Sequence, residues 1–247
     1  MTEQPRKSLP QFYVTAPTPC PYLPGKMERK IFTHLLGDSA RVINDALTAA
    51  GFRRSQHIAY KPACDACRSC VSVRIPVFQF EASRNQKRIL KINDDVRRYV
   101  GPAKASMEQF TLLRGYLDDR HPSGGMSEMT VLDYAAMVEE TPIATSLVEY
   151  RCKNEDGRSE LLACALSDRL GDGLSMVYSF YAPNEIRRSL GTFMILDHIA
   201  YAAQLGLPYL YLGYWVADCR KMEYKRRFRP LEALGPQGWY LMNEASE

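Results

Sequence analysis

Three runs rich in β-branched and aromatic residues, "TSLVEYRC", "ELLACALSD" and "LSMVYSFYA", follow one another from Thr145, joined by "KNEDGRS" and "RLGDG". Asp156-Gly157 and Asp172-Gly173 suit the positive-φ positions of tight turns, so the spacing predicts an antiparallel three-strand meander. After it come a glycine-bearing basic loop, "RRSLGTF", an apolar helix-like run, "FMILDHIAYAAQLG", and one further strand, "LPYLYLGYW". A meander that passes through a loop and a helix into a new strand is an α+β (mixed α/β) pattern.

The earlier residues are less regular. The first forty contain several prolines and read as an extended arm with a turn at "PYLPG". "SARVINDALTAAG" is helical, with Val42, Ile43, Leu47 and Ala50 on one face and Gly51 just past its end. "VSVRIPVFQF" alternates as a strand until Pro76 interrupts it, which places that strand near an edge. Ser83 is a candidate N-cap for the basic run that follows. "SMEQFTLLRGYLDDRH" is a further amphipathic helix, ended by "PSGGM". A boundary at "VGPAK" divides the 247 residues into a cysteine-bearing part, 1–102, and a second part, 103–247.

Apolar runs are broken well short of the ~20 residues a membrane helix needs, and the first residues hold no continuous apolar leader. Seven cysteines, an odd number, then argue for reduced thiols or metal ligands rather than disulfides, and for a cytoplasmic protein without a membrane partner. Cys64, Cys67 and Cys70 form a C-x2-C-x2-C array, and Cys20 could supply a fourth thiolate for a structural zinc ion or an iron–sulfur cluster. The net charge of +4 is small, but it is unevenly spread. Arg220–Arg229 holds six basic residues and one acid, and Ser83–Lys104 seven against two. Basic runs interleaved with Tyr and Phe suit RNA, because phosphates pair with cations and bases stack on rings.

The order of elements after Thr145 resembles the GNAT-type N-acyltransferase fold, in which the loop amides and helix start bind the pyrophosphate of acyl-CoA. Arg188-Ser-Leu-Gly191-Thr-Phe193 keeps the arginine and first glycine of that loop, but Phe193 stands where a small residue is usual. A ring there is expected to crowd a pyrophosphate and to disfavour acetyl-CoA as donor. A metal-bearing RNA-binding module without chemistry is the alternative of another class.

"CPYLPG", "YKPACDACRSCVSVRIPV", "FEASRNQKR", "SFYAPNEIRRSLGTFMILDHI" and "LPYLYLGYWVADCRKMEYKRRFRPLE" together resemble the aminoacyl-tRNA–protein transferases, most closely their short bacterial branch. The resemblance spans about Pro10 to Trp239 and implies a GNAT-like C-terminal part that binds the charged end of a tRNA. It further implies transfer of an amino acid, leucine in that branch or arginine as the alternative, to a protein's N-terminal Asp or Glu, marking it for N-degron proteolysis. No cofactor is implied for the transfer itself.

By the same resemblance Ser189, Leu190, Gly191 and Thr192 surround the tRNA end, with Arg188 as a phosphate contact. Tyr181 and Tyr214, near strand ends flanking the expected cleft, are candidates to orient the ester or donate a proton, and His121 is a further catalytic candidate. Lys221, Tyr224 and Lys225 would share one face of a helical segment toward RNA. Recognition of an acidic N-terminal residue calls for an arginine, with Arg74, Arg84 and Arg88 as candidates. His198 reads as a packed helix residue, and Cys152 and Cys164 as core.

Overall fold

In the computed structural model, residues 10–120, 126–154 and 156–242 are described. The arm and first helix form β1 (Tyr13–Val14), β2 (Thr18–Pro19), β3 (Met27–Glu28), β4 (Lys30–His34) and α1 (Ala40–Ala49). There follow β5 (Arg53–Ser55), β6 (Ile58–Pro62), β7 (Cys70–Pro76), α2 (Arg84–Ile92), β8 (Arg97–Pro102), α3 (Met107–Arg120) and α4 (Val131–Glu139). The meander is β9 (Thr145–Lys153), β10 (Ser159–Arg169) and β11 (Gly173–Tyr181). It leads to α5 (Leu190–Gln204), β12 (Tyr209–Val216), β13 (Glu232–Gly235) and β14 (Gly238–Leu241).

Eight strands make one sheet in the order β14-β13-β7-β12-β11-β10-β9-β8, and β1-β4-β6-β5 make a smaller one. The large sheet is mixed: β11 runs parallel to β12, and its other pairs are antiparallel. Because neighbouring strand residues face opposite sides, Leu147 and Cys164 join a core with α3 and α4. Val148 and Ala165 join a second core on the other side with α2 and α5. Eight residues of α5, from Leu190 to Ala202, are buried. At roughly 1.5–3 kcal/mol for each large apolar side chain, this helix is held by packing rather than by its caps.

Two expectations need correction. β7 is not near an edge; it lies between β12 and β13. Pro76 is tolerated because it ends the strand, where its missing N–H costs no ladder bond. The basic segment after Ser83 is two elements rather than one. Ser83 caps α2 through a capping box with Gln86, and the chain then extends as edge strand β8. Thus β7 and β8, both before residue 103, are built into the same sheet as the meander.

The smaller sheet is tied to the large one by a buried ion pair. Arg54 donates from Nε and Nη2 to the two oxygens of Asp168 on β10, each at 2.7 Å, with side chains 2% and 1% exposed. Thr145 Oγ1 donates to the same carboxylate at 2.8 Å. Tyr214 Oη, on β12, donates to the Gly51 and Tyr60 carbonyls, both at 3.1 Å, and makes a second tie.

Candidate active site

β11 and β12 pair only from Gly173↔Tyr209 to Ser175↔Tyr211. Beyond that point the strands part, and β12 carries an irregularity between Tyr211 and Gly213. The opening is therefore built into the backbone. Its far end on β11 is Tyr181, after which the chain turns through Ile186–Arg188 and enters α5.

Ser189 takes left-handed dihedrals, φ 50°, at the start of α5, and its side chain makes no capping bond. The Thr192 and Phe193 amides turn back to the Ser189 carbonyl, while the first-turn amides before them have no intrahelical acceptor. Gly191 lies against Tyr181: a Cβ there would stand 3.2 Å from the ring and 3.7 Å from its hydroxyl. The glycine thus lets the phenol reach the helix start, where the dipole favours negative charge. Tyr116 of α3 meets Tyr181 edge-on at 5.0 Å between ring centres. Burial raises the Tyr116 phenol, with Tyr181, Tyr178 and Tyr224 adding to the effect, and burial pushes Tyr178 up to about 12. Both stay protonated donors at neutral pH.

Of the residues expected at the site, Tyr181, Ser189, Gly191 and Thr192 are brought together here, each partly exposed. Leu190 is 1% exposed and belongs to the core. Arg188 is held by Asp95 at 2.7 and 2.8 Å and by Glu185 at 3.0 Å, so it braces the loop instead of offering a guanidinium to phosphate. Phe193 does not crowd the helix start either; its ring packs inward against Tyr150 at 5.6 Å. Tyr214 is 2% exposed with its hydroxyl engaged by two carbonyls, which leaves it a structural tie and not a proton donor to substrate.

The "KMEYK" segment leads into a short 3-10 helix, Glu223–Arg227, and its residues point different ways. Lys221 is exposed, Tyr224 is 36% exposed, and Lys225 is buried. The Lys225 amine donates to the Leu212 and Tyr214 carbonyls at the mouth of the opening. Burial first, and then the Arg53 charge, push it down to about 7. A neutral amine has two N–H groups, which matches its two acceptors, so Lys225 is unsuited to an RNA surface.

Arg74 is also committed elsewhere. It pairs with Glu232 at 2.6 Å and lies between the rings of Tyr209 and Trp239, at 3.5 and 4.3 Å. Arg84 and Arg88 are exposed on α2, outside the opening. His121 lies outside the described residues. His198, fully buried between Tyr150, Ser167 and the Met194 carbonyl, is pushed down to about 4 by burial and serves as packing. Cys152 and Cys164 are buried as expected of core residues.

The four N-terminal cysteines share one neighbourhood: burial, then the Cys20, Cys64 and Cys67 thiols, push Cys70 up to about 12. Their hydrogen bonds diverge, however. Cys64 donates to the Arg29 carbonyl, while Cys67 donates to Ser69 and accepts from Lys26. Among the described residues no group of three or more His, Cys, Asp or Glu side chains is arranged to hold a metal ion. No step of the chemistry is assigned to a metal.

Arg53 is the site residue that sequence reading missed. Its guanidinium lies in the opening, bonded to the Val177 carbonyl at 2.9 Å and packed on Gly213. A signal existed in the glycine inside "YLYLGYW", because such a residue marks a bulge or a close approach.

Parted parallel strands and a basic loop entering a helix start, with a phenol beside that loop, define a GNAT-like fold. The solved structure of FemX shares this fold, with a TM-score of 0.52 and 10% identity over 88% of this chain and 72% of that one. Two family models, "Arginine-tRNA-protein transferase, N terminus" and "C terminus", match residues 18–88 and 108–235. A Mesorhizobium japonicum protein named aspartate/glutamate leucyltransferase is 59% identical over 97% of this chain and 96% of its own. One of the same name from Azorhizobium caulinodans is 58% identical over 99% and 100%. The chain belongs to the arginine-tRNA-protein transferase family and is an aminoacyltransferase. Among the described residues no helix is long and apolar enough to cross a membrane.

Proposed function

We propose that this protein transfers leucine from leucyl-tRNA to the N-terminal amine of proteins that begin with Asp or Glu, marking them for proteolysis that reads the N-terminus. The observation that carries this reading is the placement of Tyr181 against the Gly191 helix start at one end of a cleft lined by phenols and Arg53. In the reaction the acceptor nitrogen forms an amide bond with the aminoacyl carbonyl carbon. The ester C–O bond breaks, and a proton ends on the tRNA 3′ oxygen. An α-amine with a pKa of about 7.7–8.0 is partly free at neutral pH, so positioning and charge stabilisation suffice for an activated ester. Tyr181 is the group placed to hydrogen-bond the ester oxygens.

Incubation of the protein with an Asp-initiated peptide and charged leucyl- or arginyl-tRNA, read by peptide mass, is expected to add one leucine. Addition of arginine instead would reassign the donor, which is the amino acid in the family models' description. No addition from either would sink the reading. Tyr181→Phe should lower kcat by roughly 10–100-fold with little change in KM for the peptide.

The tRNA arm is proposed to lie along α2, on which Arg84, Lys87, Arg88 and Lys91 are exposed. The two elements are joined by the Asn93–Arg188 hydrogen bond and the Asp95–Arg188 ion pair. Each Lys or Arg on this face changed to Ala is expected to weaken tRNA binding and reduce the log–log salt slope by about one. An unchanged slope after all four substitutions would place the RNA elsewhere.

A further inference from the structure

Arg53 and Arg54 are neighbours on one short strand, and their environments differ in kind. Arg54 is buried with a carboxylate of its own. Arg53 is partly buried, and among the described residues it has no carboxylate partner. Its Nη2 donates to the Val177 carbonyl on β11, past the last residue that pairs with β12. On the other side it meets β12 at Gly213, where φ is +71° and an added Cβ would stand 2.4 Å from Cζ. The guanidinium therefore fills the gap between the parted strands. Among the described residues its Nε and Nη1 have no hydrogen-bond acceptor.

Its surroundings add no negative charge. The Tyr214 ring lies 5.8 Å away, and the nearby Tyr224 phenol is kept neutral by burial. The Lys225 amine is the other nitrogen group of the cleft. A half-buried guanidinium beside a buried amine, with no counter-charge, is an unfavourable arrangement that an incoming anion would relieve. The reaction brings two anions, the phosphates of the tRNA end and the side-chain carboxylate of the acceptor. Phosphate belongs at the helix start beside Tyr181. Val177 lies four residues before Tyr181 on β11, roughly 13 Å along an extended strand. The space left beside the guanidinium is only about 10 Å³, too small for a nucleotide, so an anion there meets the free edge of Arg53 rather than entering the gap.

We propose that Arg53 is the residue that reads the acidic side chain of the acceptor's N-terminal residue, through the N–H groups that the Val177 bond leaves unused. The assignment rests on the transferase reading above. Gly213 belongs to the same device, since only a residue without a side chain lets the guanidinium lie against β12.

The test compares kcat/KM for four peptides that differ only in the first residue, Asp, Asn, Glu or Gln, using wild-type protein and the Arg53→Gln and Arg53→Lys variants. Arg53→Gln should lose at least about 30-fold on the Asp and Glu peptides and less than about 3-fold on the amide peptides. Arg53→Lys, which keeps the charge but not the planar fork, should fall between them, and it carries the comparison if Arg53→Gln does not fold. An equal loss on all four peptides would make Arg53 a strand brace and overturn the proposal. Weaker tRNA binding with peptide selectivity kept would make it a phosphate contact and overturn it too. A wild-type protein that modifies none of the peptides would instead remove the transferase reading on which the proposal rests.

Discussion

Asp168→Ala is expected to lower the free energy of unfolding by about 3–5 kcal/mol, because it strands the Arg54 guanidinium in the interior. Arg54 and Asp168 are almost fully buried and joined by two hydrogen bonds, and Thr145 donates to the same carboxylate. Removing one charge exposes the full desolvation cost of the other. The double change Arg54→Met with Asp168→Leu should recover most of the loss, since apolar replacement of a buried pair is often neutral or favourable. Urea unfolding of wild type and the two variants checks both expectations. A single-variant loss under about 1 kcal/mol would show that the pair does not hold the smaller sheet to β10.

The second large effect depends on pH. Lys225 is held near 7, against 10.5 for an ordinary lysine. Between these values the unfolded chain binds a proton that the folded chain does not, so stability from this residue rises with pH across that window. The full difference corresponds to roughly 4–5 kcal/mol. Lys225→Met removes the titration along with two hydrogen bonds to β12. The stability of wild type relative to Lys225→Met should therefore rise by about 2 kcal/mol from pH 7 to pH 9, measured by urea unfolding at each pH. A wild-type stability that stays flat or falls relative to the variant would mean that Lys225 remains charged in the fold.

The meander, its turns and α5 were legible because their signals are local. Alternation, the Asp156-Gly157 turn and a terminal glycine each act within a few residues, and β9, β10, β11 and α5 fall where these place them; Gly173, expected at a positive-φ turn position, instead opens β11 without positive φ. The expected span of α1, the Ser83 cap and α3 hold for the same reason, but α1 turns Ala40, Asn44 and Thr48 inward and leaves Val42 and Ala50 of its expected face exposed. β7 was misplaced because its position is decided by β12 and β13, far along the chain. Site residues divide in the same way. Tyr181, Ser189, Gly191 and Thr192 were expected together by motif and do lie together, because backbone conformation sets their placement. Side chains could not be assigned by type alone. Arg74, Arg188 and Lys225 look on paper like free cations, yet two are neutralised by carboxylates and one is buried on carbonyls. Arg53 has no such partner, and only the parting of β11 and β12 shows why that matters.

The central place of β7 also bears on how the protein is made. Ser72 must find Tyr214, and Ala233 then adds on the other side of the same strand. A ribosome must have passed Tyr214 before this pairing can begin, so until then the nascent chain carries an apolar strand that lacks both neighbours. Distant pairings of this kind close slowly and leave strand edges open to wrong contacts. The meander and α5 can assemble while translation continues, whereas the cleft acquires Arg53, and with it its acceptor side, only when the last strands arrive.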